Sequence, residues 1–184
     1  MSGYCAIARG HPVHQAYHDH EYGVAIRDER LLFERLCLEI FQAGLSWELV
    51  LKRRAGMNDA LDQFDIDTIA GYNAARIDTL MQDARLIRNR LKLEAIVHNA
   101  ERVQAMRADG GFAAWIDRHH PRGKAAWVKL FKATFRFTGG EIVSEFLLSL
   151  GYLPGAHAAD CAAPAAQVAT AWAGAERAGF SDWR

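Results

Sequence analysis

Apolar residues recur three or four positions apart along most of the chain, a spacing that predicts α-helices almost throughout. The alternation of apolar and polar residues that marks half-buried strands is nearly absent. In the clearest segment, LLFERLCLEIFQAGLSW at 31–47, an amphipathic helix is expected to end in a glycine-containing turn. Asp28 and Ser46 are candidate N-caps for this helix and for the next one. We expect a single all-α domain over 1–184, irregular from its start through Gly23.

One carboxylate, Glu39, interrupts the apolar run of that helix. Burying an ionised carboxylate among apolar side chains is costly, so such an acid needs a partner or a cationic ligand. Trp47 follows eight residues later, after a turn, and can lay its ring beside the acid. Together they suit a flat polar or cationic ring; the competing interpretation is a core helix with one solvent-facing glutamate.

A second pattern lies at about 125–151, where two helical runs flank a turn that contains Gly139 and Gly140. We expect a helix-turn-helix hairpin, because glycines allow the backbone to turn sharply or to approach a ligand closely. The amides of such a turn, followed by a helix N-terminus, can bind phosphate. The competing interpretation is an ordinary helical corner with a solvated basic face.

Four candidate metal ligands lie near the two ends of the chain, in 5–18 and 157–161: Cys5, His18, His157 and Cys161. The last two are four residues apart, so on a helical turn both can reach one ion. Two thiolates and two imidazoles form the tetrahedral set of a structural zinc site, which would clamp the two chain ends together. The alternative is a stray surface thiol and a loop histidine. Cys37, in the apolar helix, is expected to belong to the core.

Composition narrows the function classes only a little. Lys plus Arg and Asp plus Glu both number 22, so net charge gives no argument for a nucleic-acid partner, although a local basic patch is enough for binding. No apolar run reaches membrane-spanning length, and the N-terminus lacks the apolar core of a signal peptide. We therefore expect a cytoplasmic protein without a membrane partner. In the cytoplasm, we expect the three cysteines to be free thiols or metal ligands and not a disulfide framework.

Several segments in the same order and spacing resemble the 3-methyladenine DNA glycosylase I family of constitutive bacterial alkylation-repair enzymes. They are YHDHEYGV at 17–24, LE followed by QAGLSW within 38–47, and the His157/Cys161 pair, and the likeness covers about 4–161. The resemblance implies a helix-hairpin-helix DNA glycosylase fold. It also implies one structural Zn²⁺ per chain, held by the four ligands named above.

The resemblance implies a role for each residue of a base pocket. Glu39 would be the catalytic residue that reads the base and stabilises its positive charge, Tyr17 would bond to the base edge, and Trp47 would stack on the ring. Gly44 and Leu45 would fill the gap that a flipped nucleotide leaves in the duplex.

The hairpin would grip the DNA backbone through Thr138, Gly139 and Gly140. The implied enzyme is a monofunctional N-glycosyl hydrolase, a monomer that flips 3-methyladenine out of alkylated double-stranded DNA and releases it as the free base. Alkylation at N3 makes the adenine cationic and weakens its glycosidic bond, so water can attack the sugar carbon in a dissociative reaction. No residue is assigned as the general base.

Three departures from the family pattern qualify this expectation. Ile7 stands where the family has a tryptophan, Ile40 and Phe41 follow the acid in place of small and polar residues, and Glu141 in the altered hairpin would repel a phosphate. Phe41 is the candidate to replace the missing aromatic wall. These differences keep two alternatives open: a non-catalytic DNA-lesion-binding protein on the same scaffold, and a zinc-stapled protein that binds a free purine or another flat ligand.

Overall fold

The structure, a computed structural model, describes residues 3–180. Within this range it is helical and contains no strand, which confirms the predicted all-α class. None of the helices in the described range is long and apolar enough to cross a membrane. The α-helices are α1 Gly3–Ala8, α2 His14–His20, α3 Glu29–Gln42, α4 Trp47–Ala60, α5 Ile66–Ala70, α6 Ala74–Leu80, α7 Arg90–Met106, α8 Gly111–His119, α9 Lys124–Thr134, α10 Gly140–Ser149 and α11 Ala171–Arg177. Short 3-10 helices lie at Asp62–Phe64, Arg107–Asp109 and Pro164–Gln167.

The expected irregular segment before Gly23 was wrong, because α1 and α2 are both helical. These helices span six and seven residues, too few turns for apolar periodicity to be visible in the sequence. The residue before α2, Val13, makes no side-chain cap. Tertiary contacts stabilise the pair instead, since the Tyr4 ring of α1 packs edge-on against Tyr17 and Tyr22.

Helix α3 is the buried centre of the fold. It begins at the predicted N-cap, where the Asp28 carboxylate accepts a hydrogen bond from the Leu31 amide at 2.8 Å. From Leu32 to Phe41 every residue is buried, because α4, α7, α8 and α10 all pack against this helix. Glu39 is therefore not a solvent-facing glutamate: only 4% of its surface is exposed.

A buried lysine stabilises the end of α3. The Lys92 ammonium donates to the carbonyl oxygens of Phe41 at 2.8 Å and Ala43 at 2.7 Å, which have no partner within the helix. The chain then turns at Gly44, whose φ of +80° favours glycine, and presents Leu45 with 38% of its surface exposed. The predicted cap at Ser46 then starts α4 by accepting from the Leu49 amide at 3.2 Å.

Helices α9 and α10 form the predicted hairpin around the turn at 135–139. The buried Asn99 amide of α7 holds this turn, donating to the Arg136 carbonyl at 3.0 Å and accepting from the Arg136 N–H at 2.7 Å. Phe137 adopts a φ of +58°, the left-handed region. Because α10 packs against α3, this turn and the Gly44 turn border the same cavity.

Candidate functional site

A cavity of about 580 Å³ lies between α3, α10 and the N-terminal helices, a size usual for small-molecule sites. It brings together residues that the sequence predicted separately. Its lining includes the predicted base-pocket residues and three glycines of the predicted DNA-binding turns: Tyr17, Glu39, Trp47, Gly44, Gly139 and Gly140.

Aromatic rings form one wall of the cavity. The Tyr17 ring meets the Trp47 ring edge-on, with centroids 5.2 Å apart. Tyr4 and Tyr22, which the sequence analysis missed, also line the cavity, and their centroids lie 4.9 Å apart. Edge-to-face contacts of this kind hold aromatic rings in defined orientations. The pocket therefore has a rigid π-face beside the carboxyl of Glu39.

The missing family tryptophan has a different replacement from the one expected. Ile7 is 57% exposed and lies outside the cavity lining. Phe41 is fully buried in the hydrophobic core and does not line the cavity, so it does not supply the missing aromatic wall. That wall comes from Tyr4, one turn earlier on α1 than Ile7.

Burial controls the charge of Glu39. Desolvation raises the pKa of its carboxyl from an ordinary 4.5 to about 8; Arg35, one turn earlier on α3, lowers the pKa, and Glu145 on α10 raises it. The acid is therefore mostly neutral at pH 7 in the free protein. A cation in the cavity would favour its ionised form, because opposite charges at short range stabilise each other.

Arg35 also orients Tyr17. This buried guanidinium donates to the Tyr17 hydroxyl oxygen at 3.1 Å and to the Glu21 carboxylate at 2.9 Å, and its carbon lies 4.8 Å from the centroid of the Tyr17 ring. Burial raises the pKa of Tyr17, so the phenol stays protonated. Since the oxygen accepts from Arg35, the hydroxyl keeps its proton for donation to an acceptor on a ligand.

The residues predicted to contact DNA occupy different environments. Leu45 is partly exposed at the turn that borders the cavity, and Gly139 and Gly140 line the cavity itself. Thr138 is buried, and its hydroxyl donates to the Phe135 carbonyl at 3.2 Å. Its side chain therefore faces inward.

The four predicted metal ligands converge as a cluster behind the aromatic wall. One donor atom from each lies within 4.8 Å of the others: Cys5, His18, His157 and Cys161. The Cys161 sulfur lies 3.8 Å from Nε2 of His18 and 3.6 Å from Nδ1 of His157, and Cys5 Sγ lies 3.9 Å from that Nδ1. The structure thus contains a possible metal-binding cluster of two sulfurs and two imidazole nitrogens.

Hydrogen bonds orient both imidazoles of this cluster. His18 Nδ1 is 2.7 Å from the Asp19 carboxylate, so the other ring nitrogen, Nε2, faces the sulfurs. His157 Nε2 is 2.7 Å from the Tyr22 carbonyl oxygen, so its Nδ1 faces the sulfurs. A carboxylate or carbonyl behind a ligating imidazole is the usual arrangement in metal sites, because it fixes the tautomer. The donor set and its supporting hydrogen bonds fit a bound metal ion.

Sequence analysis did not assign a site role to Tyr4, Tyr22 or Glu145, although all three line the cavity. Tyr4 lies in a helix that was not predicted, and Tyr22 was noted only as part of the family-like segment. Glu145 carries the same local signal as Glu39, a single acid followed by an apolar run in a helix. That signal could have identified Glu145, but only the packing of α10 against α3 places it at the cavity.

The raised pKa of Glu39 predicts a pH-dependent stability. Between pH 4.5 and about 8, the folded protein retains a proton on Glu39 that the unfolded chain has lost, so this group's contribution to stability falls as pH rises. Glu39→Gln removes that dependence. As pH rises from about 5 to about 9, the unfolding free energy of the variant should increase relative to that of wild type, by on the order of a few kcal/mol in total. Urea unfolding across this range measures the difference.

The exposed Glu94 provides a matched control, since Glu94→Gln makes the same chemical change on the surface of α7. Its stability curve should run parallel to that of wild type. If Glu39→Gln also ran parallel to wild type, the Glu39 carboxyl would not be neutralised by burial.

Comparison with known proteins agrees with the predicted family. A profile of the methyladenine glycosylase family matches residues 7–129. DNA-3-methyladenine glycosylase of Haemophilus influenzae is 46% identical over 110 residues, so the match spans 60% of this chain and 60% of that protein. DNA-3-methyladenine glycosylase 1 of Escherichia coli is 34% identical over 167 residues, covering 80% of this chain and 89% of the relative.

Solved structures show the same similarity in three dimensions. A crystal structure of 3-methyladenine DNA glycosylase I matches with a TM-score of 0.74 and 34% identity, over 83% of this chain and 94% of that one. The Staphylococcus aureus enzyme, solved to explain its recognition of 3-methyladenine, matches with a TM-score of 0.77 and 28% identity, over 89% and 97%. The profile and the Escherichia coli relative cover most of the sequence, and this chain belongs to the methyladenine glycosylase family.

Proposed function

We propose that this protein is a DNA-3-methyladenine glycosylase of base-excision repair, which hydrolyses the bond between the alkylated adenine and its deoxyribose. The observation that carries the proposal is the buried Glu39 carboxyl, which lines a cavity together with Trp47 and Tyr17. Family membership supports the same activity. Alkylated double-stranded DNA is the proposed partner, free 3-methyladenine the product, and a cytoplasmic monomer of one helical domain the working form.

The charge of the lesion explains how the site selects it. An N3-alkylated adenine in DNA is cationic and ordinary adenine is neutral, so ionised Glu39 stabilises the lesion alone. The exocyclic amino group would donate to Glu39, and the Tyr17 hydroxyl would donate to the base edge. Flipping costs a few kcal/mol, and stacking on Trp47 returns on the order of 1–3 kcal/mol. The alkylation that gives the base the positive charge recognised by Glu39 thus also weakens the glycosidic bond that is to be cleaved.

Two turns at the cavity rim suit contact with the duplex. Leu45 is apolar and exposed at the Gly44 turn, where it would fill the gap left by the flipped nucleotide. At the second turn, Gly139 precedes α10 and Gly140 is its first residue, and the amides of this first helical turn would bind a phosphate. Thr138 would contact the DNA through its backbone and not through its side chain, which is buried.

A base-release assay tests the proposed activity. On duplex DNA treated with a methylating agent, wild-type protein should release 3-methyladenine, identified by mass, and leave alkali-labile abasic sites. Glu39→Ala should release the base at least about 100-fold more slowly, because it removes the carboxylate that holds the flipped cationic base in the cavity and stabilises positive charge there as the bond breaks. Glu94→Gln should retain wild-type rates.

The result also separates the alternatives. Salt-dependent binding of methylated duplex without release above the protein-free background would replace the proposal with a non-catalytic lesion-binding protein. Absence of any affinity for duplex or abasic DNA at low salt, with binding of the free purine retained, would favour a zinc-stapled protein that binds a free purine or another flat ligand.

For the four-residue cluster we propose one structural Zn²⁺ per chain. With Zn–S bonds of about 2.3 Å and Zn–N bonds of about 2.0 Å, tetrahedral angles require S···N separations of roughly 3.5 Å. Three of the four S···N separations are 3.6, 3.8 and 3.9 Å, close to this value. Such an ion would join α1 and α2 to the segment that follows α10, and so support the helices that carry the cavity tyrosines.

Metal analysis tests this site directly. The purified protein should contain about one zinc ion per chain, and Cys161→Ser should lose it together with on the order of several kcal/mol of unfolding free energy. His98→Ala is the control, because His98 lies on α7 outside the cluster. Its zinc content should match wild type. Zinc well below one per chain in wild-type protein, or full retention by Cys161→Ser, would contradict the four-ligand site.

A further inference from the structure

Besides Glu39, two acids of α10 line the cavity, the exposed Glu141 and Glu145, and the base-recognition scheme has no use for Glu145. It lies on α10, one turn after Glu141, and is half-buried. The Tyr22 hydroxyl donates to its Oε2 at 3.4 Å, which ties the carboxyl to the aromatic wall. Glu39, from α3, is close enough for the two acids to repel each other. Carboxyl groups at one cavity with different surroundings, such as those of Glu39 and Glu145, can take different roles in a reaction.

Positions of the neighbouring groups indicate which part of a nucleotide Glu145 would face. The proposed base site is at Glu39 and Trp47, and the proposed phosphate site is the turn that starts α10. The sugar of a flipped nucleotide connects base and phosphate, so it would lie along the first turns of α10. Glu145 lines the cavity from those turns, whereas Glu39 would already be occupied by the base.

Resting on the proposed glycosylase function, we propose that Glu145 is the general base for the water that attacks the sugar. The bond between sugar C1′ and the base N9 breaks, and its electron pair leaves with the base, which neutralises the ring. Water then forms a bond to the electron-poor C1′ while one of its protons passes to the Glu145 carboxylate. The sugar becomes a neutral abasic hemiacetal, and Glu145 returns the proton to solvent.

The charged groups around Glu145 suit this role. Burial raises the pKa of its carboxyl, Glu141 on the same helix raises it further, and the Tyr22 hydroxyl and Lys124 of α9 lower it. Glu39 faces it from α3 as a second titrating acid. A carboxylate with a raised pKa is a better proton acceptor than one paired closely with a cation. Lys124 pairs with Glu141 instead, with Nζ 3.9 Å from Oε1.

Single-turnover release of 3-methyladenine, with protein in excess over methylated duplex, tests the proposal. Glu145→Gln should slow release about 100-fold or more, because the amide cannot accept the proton. It should also abolish one acid-side limb of the pH–rate profile, leaving the limb that belongs to Glu39. Glu145→Asp should restore part of the rate. Affinity for free 3-methyladenine, followed by intrinsic tryptophan fluorescence, should stay within about threefold of wild type, as should the release rate of Glu94→Gln.

Three outcomes would overturn the role. Glu145→Gln with the wild-type rate and pH profile would mean that Glu145 accepts no proton. A slow variant whose affinity for the free base falls in proportion would make Glu145 a recognition residue. A slow variant with an unchanged pH profile and no recovery in Glu145→Asp would indicate a structural role. If wild type itself released no base, the proposed function would fail, which is distinct from failure of Glu145 in an active protein.

Discussion

Burial of α3 on every side is the constraint on which the site depends. Charged residues on a surface helix would face water, but here they must find partners inside the protein. Glu34 pairs with Arg54 at 2.8 Å, and Arg35 pairs with Glu21 and Tyr17. Glu39 instead faces the cavity, where desolvation favours its neutral form. We propose that the cost of ionising this acid is the physical origin of selectivity for a cationic base.

The two ends of the chain complete the cavity that α3 begins. Tyr22 links them, because its ring lines the cavity, its hydroxyl donates to Glu145, and its carbonyl lies 2.7 Å from His157 Nε2. Next to it, Gly23 has a φ of +82°, and a Cβ there would lie 3.1 Å from His157 Nε2. The backbone thus passes close to the metal-binding cluster, so that cluster and aromatic wall form one packed unit.

Sequence predicted the parts of the fold whose signals are local. Asp28 and Ser46 cap α3 and α4 as expected, and the acid in an apolar run was recognisable as unusual before any packing was known. Helices α1 and α2 were missed because they rely on contacts between aromatic rings from different segments. The absence of a tryptophan at Ile7 therefore looked like a missing wall, although Tyr4 supplies it from the same helix.

The site was only partly predictable for the same reason. Spacing in the sequence was sufficient to propose the four metal ligands as a set, since His157 and Cys161 are only four residues apart, although the structure places that pair in a loop and not on a helical turn. Nothing local in the sequence indicates that α10 packs against α3, and this contact brings the hairpin turn and Glu145 to the cavity that holds Glu39. The role proposed for Glu145 depends on that juxtaposition.

The central claim is that Glu39 is neutral in the free cavity and becomes ionised when a cationic purine enters. Carbon-13 NMR of labelled glutamate carboxyl groups, with Glu39→Gln used to assign the signal, measures this directly. In the free protein the pKa of Glu39 should be about 8, and an N3,N9-dialkylated adeninium cation should lower it. An ordinary pKa near 4.5 in the free protein, or a pKa unchanged by the bound cation, would contradict the account.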